Sequence, residues 1–190
     1  NTKHQMTNNR FNKELLISPR ATLSYFPEWE DKISFRLSAG IYNQSPFFKE
    51  LKRRDGSIKM DSKAQRSYQL VAGTDLVFTA WDRPFRFTTE AYYKYMNRLI
   101  PYQVDNVRIR YLAEQEAVGY ATGLDMKING EFVSGLQSWA SLSFMSTMED
   151  IYGDDHLSKD LEGNDIWVTQ GFIPRPTDQR LSFSLLFMDE

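Results

Sequence analysis

A chain of 190 residues with a formal net charge of -2 is long enough for one domain with a sizeable core, and it carries no bulk bias toward nucleic acid. A mean hydropathy of -0.53, with no apolar run near the ~18 to 20 residues of a membrane helix, excludes a helical membrane protein but leaves a membrane barrel open, because barrel strands hide apolar residues by alternation. Cysteine is absent, so there is no disulfide framework and no thiolate metal site.

Residues 1–14 read as a polar loop or tail, with neither the basic nor the apolar stretch of a signal peptide. Such a start, and an end on the strand pattern "RLSFSLLFMDE", lead us to expect a segment of a larger chain. Between them lie seven period-2 segments. In "SPRATLSYF", Ala21, Leu23 and Tyr25 oppose Arg20, Thr22 and Ser24. In "ISFRLSAGIYNQ", Ile33, Phe35, Leu37, Ala39 and Ile41 oppose Ser34, Arg36, Ser38, Gly40, Tyr42 and Gln44. "SYQLVAGTDLVF" sets Tyr68, Leu70, Ala72, Thr74, Leu76 and Phe78 against Gln69, Val71, Gly73, Asp75 and Val77. "FRFTTEAYYKYMN" sets Phe85, Phe87, Ala91, Tyr93 and Tyr95 against Arg86, Glu90, Tyr92 and Lys94. In "VGYATGLDMKI", Tyr120, Leu124, Met126 and Ile128 oppose Gly119, Gly123, Asp125 and Lys127. "LQSWASLSFMST" places Leu136, Ala140, Leu142 and Phe144 on one face, with Trp139 on the polar side. "RLSFSLLFM" completes the set with Leu181, Phe183, Leu185 and Phe187.

The connections alternate strictly between short and long. Short ones contain "PEWEDK", "TAWDRP" and "NGEFVSG"; long ones contain "SPFFKELKRRDGSIKMDSKAQR", "NRLIPYQVDNVRIRYLAEQEA" and the stretch from "MEDIYGDDHLSKD" to "GFIPRPTDQ". Successive antiparallel strands place their turns at opposite ends, so the short turns share one end and the long loops the other, as in outer-membrane barrels. Trp29, Trp81 and Phe132 in the short turns fit an interfacial aromatic girdle. Apolar faces of about 10 to 12 residues exceed the usual ~5 to 6 and match a tilted bilayer crossing. The expected fold is all-β: an antiparallel up-and-down meander of about seven long strands, a single unit over residues 1–190, within a larger transmembrane β-barrel. A soluble β-barrel or sandwich that turns its apolar residues inward around a small apolar ligand or sugar is the alternative.

No catalytic motif is present, and neither an enzyme activity, a cofactor nor a metal is expected. Asp154, Asp155 and His156 fit a solvated acidic loop better than a cation site. "KELKRRD", Lys49 to Asp55, reads as a solvated basic loop rather than a nucleic-acid patch, and "SPFFKELKRRD" has room for a helical turn or two. In "GFIPRPTDQR", Arg175, Asp178, Gln179 and Arg180 are placed to brace loop to wall.

"SPRATLSYFP", "RLSAGIYNQSPFFKEL", "YYKYMNRLIPYQVDNVRIRY", "GYATGLDMKINGEFVSGLQSWASLS" and "IPRPTDQRLSFSLLFMDE" together cover nearly the whole chain. Taken in order, they resemble the TonB-dependent outer-membrane receptors of Bacteroidetes-type bacteria. The SPR strand followed by the Tyr42-x-Gln44-x-Pro46 segment is a moderately specific signature of that barrel, and the full ordered set is more specific than any one piece. The resemblance implies a barrel of about 22 strands around a plug domain, in the bacterial outer membrane. It implies import of a scarce nutrient (a siderophore, cobalamin or a glycan) powered through the TonB complex. The resemblance places the chain in the C-terminal part of that barrel and leads us to expect the plug and the TonB-contacting segment outside it, so its expected partners are lipid, the receptor's own plug and the remaining strands. Tyr42, Gln44, Tyr92 and Lys94 are then substrate-binding candidates on the lumen or loop side. Phe35, Leu37, Leu70, Phe87, Tyr93, Leu142, Phe183 and Leu185 are then lipid-facing.

Overall fold

Alternating side chains, punctuated by short turns at Trp81-Asp82 and Ser134-Gly135, produce long antiparallel strands. The structure, a computed structural model, describes residues 15–29, 32–160 and 162–189, so the polar segment 1–14 lies outside the described residues. The strands are β1 (Arg20–Tyr25), β2 (Ile33–Gln44), β3 (Gln65–Ala80), β4 (Arg83–Leu99), β5 (Tyr102–Asp105) and β6 (Arg108–Tyr111). They continue with β7 (Ala117–Val133), β8 (Leu136–Ile151), β9 (His156–Lys159), β10 (Asp165–Val168), β11 (Ile173–Pro174) and β12 (Leu181–Asp189). The main sheet runs β1-β2-β3-β4-β7-β8, and β8 is then flanked by β11 at its loop end and β12 at its turn end. The seven expected segments all lie in this meander. The short hairpins β5-β6 and β9-β10 are additional, built within the second and third long loops. There is no helix among the described residues: "SPFFKELKRRD" forms turns and a bridge from Lys52 to Ile58 instead.

Strands β3, β4, β7 and β8 are 16 or 17 residues long, longer than the alternation alone indicates. The β3–β4 connection shrinks to Trp81 and Asp82, whose φ values of 50° and 59° make the two-residue turn that matches strand twist. Gly135, at φ 80°, serves the β7–β8 turn, and Phe132 belongs to β7 rather than to the turn.

Register places every apolar segment on one face. Leu37, Ala72, Ala91, Leu124 and Phe144 form one cross-strand row that ends at Leu181. The eight expected lipid-facing residues share this face: Leu70 pairs with Tyr93 and Leu142 with Phe183. No second layer of described residues covers it, and Leu70 is 50% and Phe183 65% exposed. A soluble sandwich would bury these side chains.

The buried groups sit instead at the sheet's two ends. At the turn end Phe85 is 2% exposed, ringed by Phe78, Trp81 and Phe132 with centroids 5.6–5.8 Å away, and its ring lies over Gly130, its strand partner. At the loop end a bulge between Met96 and Leu99, with Arg98 at φ 57°, reverses the side-chain alternation of β4. Leu99 therefore turns onto the polar face over Gly119, where an added Cβ would lie 3.0 Å from its Cδ1. Ile100, Pro101, Ala113, Ala117 and Ala121 are buried too.

Between β11 and β12 residues 175–180 leave the ladder, yet β8 is not left open. Thr147 N donates to Asp178 Oδ1 at 2.6 Å, Arg175 N donates to Thr147 O at 3.0 Å, and Met145 N donates to Arg180 O at 3.3 Å.

Candidate functional site

The polar face carries the chemistry. Arg36 reaches across Gly73 to Glu90 (2.6 Å), and glycine fits between them because an added Cβ would stand 3.1 Å from Glu90 Cγ. Beside this pair Thr88 Oγ1 donates to Asp75 at 2.6 Å, and the Lys127 ammonium stands 4.9 Å from the Trp139 ring centroid. Among the described residues no Asp, Glu, Lys or Arg interrupts the opposite, apolar face between its aromatic rows; Arg66 and Arg83 share its strand parity only beyond those rows.

The four candidate binding residues all lie on this polar face near the loop end, on β2 and β4 with β3 between them. Tyr42 lies under the Arg20 guanidinium, 4.1 Å from its ring centroid. Gln44 is exposed at the end of β2, paired with Gln65. Tyr92 lies over Gly123, which has no side chain to displace it, and Lys94 Nζ is 5.7 Å from the Tyr92 centroid. Tyr42 and Tyr92 thus have packing roles and are only partly exposed.

Above these residues the long loops are tied down. Glu149 and Arg175, with side chains only 3% and 14% exposed, form an ion pair at 2.9 Å, and the Arg175 guanidinium is 5.6 Å from the Tyr102 ring. Asp178 accepts from Thr147 N and from Arg180 Nε, both at 2.6 Å, and the Thr147 N–H foremost, then Arg180, holds its carboxyl below the usual carboxylate range. The expected bracing by Arg175, Asp178 and Arg180 is therefore present. Glu149, the partner that buries Arg175, carried no signal in the sequence beyond lying near the end of a strand.

In the first long loop Glu50 is buried, accepting from Phe47 N at 2.8 Å and Gln65 Nε2 at 3.1 Å. Asp55 accepts from Ser57 N and Oγ, which lowers its pKa. In the third, Thr169 Oγ1 donates to Asp155. No three His, Cys, Asp or Glu residues converge to hold a metal among the described residues. The face offers hydrogen bonds, fixed charges and aromatic rings, which is equipment for binding.

Comparison with protein-family models, curated proteins and solved structures returned no match.

Proposed function

We propose that the chain is a segment of the wall of an outer-membrane β-barrel receptor of TonB-dependent type, which imports a scarce nutrient of the siderophore, cobalamin or glycan class. The observation that carries the membrane reading is the apolar face, uncovered and free of Asp, Glu, Lys and Arg between its aromatic rows among the described residues. Aromatic rows bound it: Phe78 and Phe85 at the turn end, and Tyr68, Tyr95 and Tyr120 at the loop end. Tyr68 and Phe78 stand about ten residues apart on β3, or ~33 Å at ~3.3 Å per residue and ~23 Å at a tilt of ~45°. That is close to the ~25 Å apolar band of such barrels.

Two hydroxyls within the band turn back to the sheet. Thr74 Oγ1 donates to Ser34 O at 2.9 Å, and Thr122 Oγ1 to Tyr92 O at 3.1 Å. Lipid offers no other acceptor, so internal satisfaction is required there. Beyond the band, Arg66 donates to Asn43 (2.9 Å), which in turn bonds Ile17 O and Ser18 Oγ, a polar border where headgroups begin.

The receptor type rests on the resemblance of the SPR strand and the Tyr42-x-Gln44-x-Pro46 segment. On this reading Tyr42, Gln44, Tyr92 and Lys94 face the lumen, the plug and remaining strands complete the barrel, and the TonB complex supplies energy. Cell fractionation tests the location: the protein should appear in the outer membrane and migrate anomalously on gels unless boiled. Recovery in the soluble fraction overturns the proposal. Growth of a deletion strain on single iron, cobalamin or glycan sources then tests import; unchanged growth on all of them refutes the transport role.

A further inference from the structure

The first and second long loops meet in a basic cleft. A cavity of about 520 Å³ between them is lined by Lys49, Lys52, Arg53 and Arg54 from one loop and by Arg110 and Tyr111 from the β5-β6 hairpin, and no carboxylate among the described residues lines it. We propose that this cleft binds a small ligand carrying several phosphate or carboxylate groups.

Both walls are built rather than loose. Lys59 N donates to Leu51 O and Arg53 N to Ser57 O, each at 2.9 Å, so Lys52 to Arg54 are carried on a tight bridged turn. Buried Glu50 anchors that turn to β3 through Gln65. The facing wall is fixed by Leu112 N donating to Pro101 O at 2.8 Å and by the tilted ring contact of Tyr102 with Tyr111, centroids 5.9 Å apart. Two cations have partners at the margin: Arg110 with Asp105 at 2.9 Å and Arg53 with Glu114 at 3.8 Å. The Arg53 Nε nevertheless is closed off from solvent with no hydrogen-bond acceptor. Lys49, Lys52 and Arg54 have no carboxylate within 4.0 Å among the described residues.

Like charges held together in a concave site repel one another, and a multivalent anion relieves that repulsion while supplying the missing acceptors. Arginine forks suit phosphate and carboxylate in paired hydrogen bonds. The volume falls within the ~300 to 1,000 Å³ of small-molecule sites. The same chemistry is presented by a dissolved nutrient and by the phosphates of an outer-leaflet lipid.

The inference deepens the receptor reading and rests on it only for the ligand's use, so binding and membrane insertion are scored separately. The receptor carrying this segment is placed in phosphatidylcholine nanodiscs with and without lipid A and titrated with inositol hexakisphosphate. Saturable binding is expected, weakened at least tenfold by Lys52→Glu or Arg54→Glu and unchanged by Lys159→Glu on the β9-β10 hairpin, which does not line the cleft. Binding that is equal in both discs assigns a dissolved ligand, whereas competition by lipid A assigns a headgroup; either supports the cleft. No saturable binding of either, or binding indifferent to both reversals, overturns it. A protein that inserts but does not bind refutes the cleft alone, and one that binds without inserting refutes the receptor reading alone.

Discussion

Ala91 gives the sharpest test of what the apolar face touches. It is exposed on that face, flanked by Ala72 and Leu124 on the neighbouring strands. An arginine there meets no packed layer, so its cost is set by the medium. Ala91 lies about four residues from the Tyr95 row and about six from the Phe85 row, or ~13 and ~20 Å along the strand. At a ~45° tilt this becomes ~9 and ~14 Å of depth, close to the middle of the band. Arginine near the midplane costs about 2–4 kcal/mol and near the boundary about 0–1. Ala91→Arg should therefore lower the folded-to-unfolded ratio roughly 30- to 1,000-fold. Asn97→Arg, on the same side but beyond the aromatic row and paired with Arg66, should lower it at most about fivefold. Reversible guanidinium titration of the receptor in dilauroylphosphatidylcholine vesicles, followed by tryptophan fluorescence, reads both. Equal costs at the two positions would refute the membrane reasoning, as would cooperative folding without lipid.

Three other outcomes follow from the contacts. Gly123→Val should destabilise by about 1–3 kcal/mol through overpacking, since a Cβ there meets the Tyr92 hydroxyl and stands 2.6 Å from Phe144 O; Tyr92→Ala in the same chain should recover part of it, and full additivity of the two changes in equilibrium unfolding would contradict the contact. Glu149→Gln leaves Arg175 buried without its counter-charge, a loss of about 3–5 kcal/mol in comparable buried pairs, so amide exchange across residues 173–180 should accelerate sharply; unchanged exchange would mean that the pair holds nothing. The Asp178 carboxyl has a depressed pKa in the folded state, so its contribution is fully present above the ordinary carboxylate value and disappears as pH falls through the lowered one. Exchange protection at Thr147 N should hold from neutral pH down through the ordinary range and fail only below it, with Asp178→Asn abolishing the acid transition; a loss of protection near neutrality would exclude Asp178 as its source.

The two faces and two ends of the sheet were legible in the sequence, because a period of two needs no knowledge of partners. Phe35, Leu70 and Phe183 could be grouped without register, and register then joined them. Strand length was less legible: β4 continues through Arg83 and Pro84, residues that alternation alone assigns to a turn. The β5-β6 hairpin did have a local signal in "YQVDNVRIRY", with Asn106 and Val107 at positive φ, but it lay within a stretch whose length reads as loop. The bulge that turns Leu99 inward depends on how β4 meets β7, and the meeting of Arg110 with Lys52 depends on how two loops fold, so neither is written in local sequence. Arg175 and Asp178 were legible as braces because two prolines stiffen their approach to the strand; their partner Glu149 was not, since a strand-end carboxylate has many destinations.

The Asp178 side chain occupies the place where a neighbouring strand's carbonyl would have received the Thr147 N–H. With β11 holding Met148 and Glu149, and β12 holding the segment that ends at Phe144, the two halves of this neighbour are registered independently. The chain between them is thus a splice point: residues can be added or removed there without sliding either half by one position and inverting its faces. A wall that must keep one side apolar gains from this a place where its outer loop can change length over evolutionary time while the sheet beneath stays in step.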